Sequence, residues 1–408
     1  MDHSWRLLER GEHLKKLFLL LTLFAISTCL FSITEEDLTT LLLEEDYHLK
    51  LEYFLKDSPS TRAAIAIVNG LRYIETVRPY YRIRFTDSYQ QVEREELSEV
   101  LAIALEIMRV NVLESTIQGI RLLAEQDPVD LFEVISLRVH FANWLTTGAP
   151  EYARTALKKA ESLRTRHPES FFPYKVILVY HSTSAFGVRE EFLRVRELAL
   201  ENLRAENILA IIVEGLYKLG EFEMVIDDFS RIQSPEHQST FYAGVSSFRT
   251  GDNDSAERLL ARIDDLRAIS PRDLTVLFFV RGRIAEDKGD ISTAIEMYSR
   301  SVQHDSNNRQ ALKRLAFAYL ESDEPDRETM ARFYLERSNL EDFDSEVAQA
   351  LRELRIRVVR RVFVTQILPI AAAVIITLIT VEYFHKRRKR LEEKKALREN
   401  GDGDAEAR

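Results

Sequence analysis

The chain has 408 residues, of which 30% are charged and only 13 are glycine and 10 proline, and this composition indicates a mainly helical protein. The formal net charge of -10 argues against nucleic-acid binding, because neutralising phosphates requires a basic surface. The single cysteine, Cys29, excludes an intramolecular disulfide and a zinc site built from several cysteines.

Residues 1–32 are predicted to be a signal peptide or an N-terminal signal anchor. Lys15 and Lys16 precede an uncharged, apolar run from Leu17 to Ser32, a pattern typical of a secretory signal peptide. The run is also long enough to suit an N-terminal signal anchor that stays in the membrane. The residues around Cys29 loosely match a bacterial lipobox. Cleavage, retention and lipidation at Cys29 are therefore all open at this point.

Residues 33–128 are predicted to form an N-terminal helical region, with degenerate repeats as an open alternative. Ser58 followed by Pro59 predicts the start of a helix from Thr61 to Glu75, since serine caps a helix and proline suits its first turn. The basic and aromatic run from Arg78 to Phe85 is interpreted as a loop that packs its aromatic residues on neighbouring helices.

Residues 129–343 have a repeating pattern. Turn-forming residues recur at intervals of 31 to 39 residues, at Gly148, Gly187, Gly220, Gly251, Gly289 and Asp323. Apolar residues lie at helical spacing on both sides of these turns, which predicts a series of helical hairpins. No single hairpin can bury its apolar face alone, so the hairpins should stack into a continuous array.

The C-terminal part predicts a membrane anchor. Residues 344–361 read as a connecting helix capped by Asp344. Val362 to Val381 is uncharged over 20 residues, enough to cross about 30 Å of hydrocarbon, and we predict a transmembrane helix over 362–384. Basic residues dominate the tail, 385–408, which is predicted to be partly disordered and, by the positive-inside rule, cytoplasmic.

The clearest repeat runs from Leu274 to Asn308. Gly282, Ala294, Tyr298 and Ser301 follow each other in the order small, small, aromatic, small. This order and spacing resemble the tetratricopeptide repeat (TPR), about 34 residues long, although Ala285 stands where that family usually has tyrosine. The resemblance implies an all-α fold, a TPR-like α-solenoid of helical hairpins with a C-terminal transmembrane helix, in a membrane-anchored member of the family.

The resemblance also implies where a partner binds, because such proteins use the concave face built by the first (A) helix of each hairpin. Transferred residue by residue, the candidate groove consists of Tyr217, Lys218, Gln238, Phe241, Phe248, Arg249, Phe279, Arg283, Lys313 and Phe317. Mixed aromatic and charged groups suit a peptide or a helix of another protein. Packing of the aromatic residues within the array is the alternative for each of them.

We predict no catalytic, cofactor-binding or metal site and no enzymatic activity. The sequence has no H-E-x-x-H, no G-x-x-x-x-G-K and no Gly-x-Ser-x-Gly motif. The predicted function is that of a membrane-anchored scaffold for protein partners, single- or double-pass, with the array on the extracytoplasmic (periplasmic) side. A tail-anchored receptor with its array in the cytosol, and an enzyme with a divergent site, are the alternatives.

Overall fold

The computed structural model describes residues 33–50, 58–126, 129–203, 206–339 and 344–403. The predicted targeting signal, residues 1–32, and residues 404–408 of the tail lie outside these ranges. Within them the chain is all-α, with no β-strand. It divides into two compact units, Met1–Ile263 and Asp264–Arg408. Each unit is built from helical hairpins stacked in the order of the chain, which confirms the predicted TPR-like α-solenoid as the fold class.

The helices described in the first unit are α1 (Glu35–Leu42), α2 (Tyr47–Lys50), α3 (Pro59–Thr76), α4 (Pro79–Gln90), α5 (Glu99–Arg109), α6 (Thr116–Ala124), α7 (Asp130–Thr147), α8 (Pro150–Arg166), α9 (Phe171–Thr183), α10 (Arg189–Asn202), α11 (Glu206–Leu219), α12 (Phe222–Phe229), α13 (His237–Arg249) and α14 (Asn253–Ala261). From α7 onward, each helix packs on the next along the chain, and α9 also packs on α11. The unit is therefore a stack in which each hairpin covers the apolar face of its neighbour.

The helices described in the second unit are α15 (Pro271–Asp287), α16 (Ile291–His304), α17 (Arg309–Glu321), α18 (Arg327–Ser338), α19 (Ser345–Val362) and α20 (Leu368–Gly403). Consecutive helices from α15 to α19 pack on each other. A single π-turn, Phe363–Ile367, joins α19 to α20, so the connecting helix continues into the apolar segment.

Side chains at the helix starts explain the helix boundaries. Ser58 accepts a hydrogen bond from the backbone N–H of Thr61 and is followed by Pro59, as the sequence predicts for α3. Asp344 accepts from the N–H groups of Glu346 and Val347 and caps α19. Such caps satisfy donors that a helix leaves unpaired in its first turn.

The turns within the hairpins use glycine for two different reasons. Gly148, Gly220, Gly251 and Gly289 adopt positive φ angles, between 70° and 89°, which side chains rarely tolerate. Gly187 has no positive φ, but a Cβ built on it would lie 2.4 Å from the carbonyl oxygen of His181. Close approach of two backbone segments, rather than turn conformation, therefore requires glycine there.

The basic and aromatic run near residue 80 is not the loop that the sequence suggested. It forms helix α4, in which Phe85 is fully buried, whereas Tyr80 and Ile83 are 56% and 62% exposed. The interpretation was wrong for two reasons. Pro79 starts this helix instead of breaking it, and only one face of the helix reaches a neighbour.

A buried arginine ties the N-terminal helices of the first unit to α7. Arg138 is 2% exposed and donates hydrogen bonds to the carbonyl oxygens of Leu42 (2.7 Å) and Glu44 (2.6 Å). It also forms an ion pair with Glu75, at 2.8 Å, and its guanidinium lies against the rings of Tyr47 and Phe172. A buried charge is stable only when its hydrogen bonds are satisfied in this way.

The small residues of the clearest repeat lie where its two helices touch. Ala294, Tyr298 and Ser301 are fully buried, and Ser301 donates to the carbonyl oxygen of Thr275 on the neighbouring helix. A Cβ on Gly282 would lie 2.6 Å from the Tyr298 ring. The order of small and aromatic residues is thus the packing pattern of one hairpin.

Candidate partner-binding surface

In the second unit, a network of charged side chains joins the A helices α15 and α17. Its centre is Glu286, whose carboxylate accepts a hydrogen bond from the hydroxyl of Tyr298. The same carboxylate lies 3.4 Å from the guanidinium of Arg283 and 3.3 Å from that of Arg314. Glu286 is 15% exposed and Arg314 39% exposed, so the network begins inside the unit and ends at its surface.

The protonation of this network follows from its burial. Desolvation and the hydrogen bond to Glu286 raise the pKa of Tyr298, so that its hydroxyl remains a donor at any physiological pH. The Nε of Arg283 is buried and has no hydrogen-bond partner in the described residues, although it is within ion-pair distance of Glu286. The geometry holds Arg283 near Glu286 without satisfying all of its donors.

Lys313 on α17 connects to the start of α19. Its ammonium lies 2.7 Å from Asp344 and 2.6 Å from Glu346. Burial opposes the charge of Lys313, but these two carboxylates outweigh it and raise the pKa of Lys313. The hydrogen bond from Lys313 in turn lowers the pKa of Asp344. Lys313 is therefore engaged in holding the helix cap at Asp344.

The two phenylalanines predicted for this unit are half-buried. Phe279 packs against the core of the hairpin α15–α16, and its ring centroid lies 5.9 Å from that of Tyr298. Phe317 packs against the core formed by α17, α18 and α19. Each ring thus contributes to the core and also keeps part of its surface outside it.

In the first unit the predicted groove residues have different environments. Phe241 is fully buried and lies 6.0 Å from the ring of Tyr217, so it belongs to the core and is not available to a partner. Gln238, Phe248 and Tyr217 are half-buried, whereas Lys218 and Arg249 are exposed. Lys218 forms an ion pair with Glu214, one turn earlier on its own helix.

Phe279, Arg283, Lys313 and Phe317 all belong to the second unit, on its first two A helices. Among the described residues, no group of three or more histidine, cysteine, aspartate or glutamate side chains is arranged to hold a metal ion. The sequence prediction missed Arg314, which follows Lys313 directly. The sequence gives no signal for Arg314, because arginine is common on charged helices and its contact, Glu286, lies 28 residues away in the chain.

The candidate anchor is the long helix formed by α19, the π-turn and α20. Over the described residues, the segment Ser345–Lys394 is the one helix long and apolar enough to cross a membrane, and the apolar part is not buried inside the protein. Large apolar side chains from Val362 to Val381 are exposed by 41% or more. Such a surface needs a nonaqueous environment or a partner.

No protein-family model matches the sequence, and no curated protein matches it either. Solved structures resemble it at low identity. The APC/C hetero-tetramer Cut9–Hcn1 is 12% identical, with a TM-score of 0.37, over 74% of this chain and 71% of that one. The human IFIT1 dimer with PPP-AAAA is 14% identical, with a TM-score of 0.37, over 82% and 78%. Naa15/Naa10 bound to HypK-THB is 12% identical, with a TM-score of 0.31, over 72% and 51%. Likenesses at this level carry no functional information.

Proposed function

We propose that the protein is a membrane-anchored helical-repeat scaffold that binds another polypeptide on the A helices of its second unit. The observation that carries the proposal is that α15 and α17 each hold a half-buried phenylalanine and are joined to each other by the ion pair between Glu286 and Arg314. Phe279, Phe317 and Arg314 each have part of their surface outside the core. Aromatic residues and arginine are the side chains that contribute most to protein interfaces.

The position of this surface along the chain supports an anchored scaffold. Only the B helix α18 and the connecting helix α19 separate α17 from the apolar segment that begins at Val362. In this proposal the segment crosses the bilayer and holds the surface near the membrane. We further propose that the array lies on the extracytoplasmic side, in an envelope complex. The N-terminal apolar run and the basic tail after Val381 support this sidedness.

Site-specific photocrosslinking in intact membranes tests the binding surface. A photoreactive phenylalanine derivative replaces Phe279 or Phe317 in the full-length protein. The matched control is Phe333 on the B helix α18, an exposed aromatic residue. We expect a crosslinked polypeptide from the first two positions and none from Phe333. Equal crosslinking from all three positions, or from Phe333 alone, would refute the proposed surface.

The energetic contribution of the aromatic residues is tested with the partner identified by crosslinking. We expect the double variant Phe279→Ala, Phe317→Ala to weaken capture by about 2 kcal/mol, the scale of an interface hot spot. Phe333→Ala should leave capture unchanged. Both variants must retain the wild-type helical circular dichroism, because the two phenylalanines also contact core residues. A folded double variant with wild-type affinity would contradict the proposal.

The sidedness needs a separate measurement. Protease is added to intact cells, to cells with an opened outer barrier and to fully lysed cells. Cleavage of the array before the cytoplasm is opened supports the extracytoplasmic arrangement. Cleavage only after lysis supports the alternative, a tail-anchored receptor with its array in the cytosol.

A further inference from the structure

A groove of about 820 Å³ lies between α18 and the C-terminal half of α19, next to the apolar segment. Its wall on α19 includes an apolar part, formed by Leu354, Val358 and Val359, and two arginines, Arg355 and Arg361. Its opposite rim is the turn that precedes α18, where Asp323 and Glu324 lie. Val358 and Val359 are 41% and 63% exposed, which leaves the apolar wall uncovered by the protein.

Most charges that line the groove are paired with each other. Arg361 lies 2.7 Å from Glu328, and Arg332 lies 2.7 Å from Glu336. Arg327 donates to the carbonyl oxygen of Ser322, at 2.6 Å, and is 4.0 Å from Asp323. The pairing gives the groove little net charge. The groove therefore does not attract anions by net charge alone.

One cation and one anion are left over. Both Arg355 and Glu324 line the groove. In the described part of the chain, neither takes part in an ion pair within 4.0 Å, with each other or with another residue. An arginine offers a planar set of donors that suits a phosphate group. A carboxylate accepts hydrogen bonds from an ammonium group. The free charges match a ligand that carries both a phosphate and an ammonium.

The location of the groove indicates the source of such a ligand. Arg361 directly precedes Val362, the first residue of the uncharged segment. At a rise of about 1.5 Å per residue, Val358 and Val359 lie about 5–6 Å, and Arg355 about 10 Å, from that residue along the helix. The headgroup layer of a bilayer is about 5–8 Å thick on each side, and a long arginine side chain reaches across several ångströms. If α19 and α20 enter the membrane as proposed above, the groove lies among the lipid headgroups.

We propose that this groove binds the headgroup of a zwitterionic phospholipid. Arg355 holds the phosphate, Glu324 holds the ammonium group, and the exposed Val358 and Val359 cover the glycerol and the first methylenes of the acyl chains. An anionic lipid without an amine would leave Glu324 unpaired beside a phosphate, and that arrangement is repulsive. This inference rests on the proposed membrane anchoring, and it adds a lipid specificity to the anchor.

The test uses the full-length protein reconstituted into nanodiscs with equal amounts of phosphatidylethanolamine and phosphatidylglycerol. After extraction into mild detergent, native mass spectrometry measures which lipid stays bound. The test variants are Arg355→Gln and Glu324→Gln. The controls are Arg352→Gln, which removes an arginine from the same helix, and Glu321→Gln, which removes an exposed carboxylate near the same turn. Neither control residue lines the groove.

We expect the wild type and both controls to retain about three times as much phosphatidylethanolamine as phosphatidylglycerol. This ratio corresponds to the free energy of an exposed charge pair. Glu324→Gln should lose this preference, and Arg355→Gln should lower the retention of both lipids, because both carry the phosphate that Arg355 holds. Sodium carbonate extraction is run in parallel to report on anchoring. If the protein stays in the membrane and the test variants retain lipid like the controls, the groove proposal is overturned while the anchor stands. If carbonate releases the wild type, both proposals fail. If the test variants lose a bound polypeptide while their retained lipid is unchanged in amount and ratio, the lipid proposal is also overturned.

Discussion

Gly282→Ala is a direct test of the contact between α15 and α16. The added Cβ would lie 2.6 Å from Cδ1 and Cε1 of Tyr298 and 3.2 Å from its Cγ. The ring cannot move aside easily, because Tyr298 is fully buried and its hydroxyl is bonded to Glu286. Overpacking costs about 1–3 kcal/mol, and because this ring is held in place we take the upper half of that range, about 2–3 kcal/mol. Alanine recovers about 0.8–1 kcal/mol of helix propensity over glycine. We expect a net loss of about 1–2 kcal/mol.

The loss should be local to the second unit, so the assay must resolve the two units. Hydrogen–deuterium exchange followed by mass spectrometry of the full-length protein reports on the peptides of α15 and α16. The expected loss corresponds to exchange about 5- to 30-fold faster in those peptides under native conditions, provided that they exchange by global opening of the unit. Peptides of α7 to α9, in the first unit, serve as the internal reference.

A second variant separates this clash from a general effect of the substitution. Tyr298→Leu removes the ring that the new methyl group meets. Combined with Gly282→Ala, it should destabilise the unit by less than the sum of the two single changes. If Gly282→Ala exchanges as slowly as the wild type, or more slowly, the two helices do not touch at this position and the reasoning is wrong.

Two further predictions concern charged groups. Arg138→Met should lower the free energy of unfolding by about 3 kcal/mol or more in a urea titration, because it removes the closest ion-pair partner of Glu75 and the hydrogen bonds that the guanidinium donates to two carbonyl groups; a wild-type midpoint would show that the arginine is dispensable. Asp290 caps α16, and hydrogen bonds from Thr293 and Ser292 lower its pKa. A lowered pKa in the folded state stabilises the protein above the unfolded pKa, about 3.9, and the effect disappears as the pH falls through the folded value. The stability difference between wild type and Asp290→Ala should thus be present at pH 7 and shrink below about pH 4; a constant difference would exclude the carboxylate as its source.

The local features of this fold follow from the sequence because they depend on residues close together in the chain. Helix starts at Ser58 and Asp344 need only a capping side chain and the next three residues. The turn at Gly289 requires a positive φ, which glycine adopts at no steric cost. The small and aromatic residues around Tyr298 repeat at helical spacing, so the sequence alone predicts that two helices meet there.

The candidate surface could be predicted only in part. Helical spacing places Phe241 and Phe279 on equivalent faces of their helices, yet the first is fully buried and the second half-buried. The difference comes from two aromatic neighbours of Phe241: its ring lies against those of Tyr217 and Tyr242. Which of two equivalent positions is covered depends on the side chains that neighbouring helices bring to it, and a repeat pattern does not contain that information.

Contacts between distant residues were decided by the tertiary structure alone. The ion pair of Arg138 with Glu75 joins residues 63 apart, and that of Arg196 with Asp228 joins residues 32 apart. In the sequence, nothing marks any of these four residues as the partner of another. Packing selects the few that become buried and paired, because only they lie where two helices exclude water. Periodicity within the chain determined the helices and their order, and the approach of separate helices determined which charges are paired and which, like Arg355, are left free.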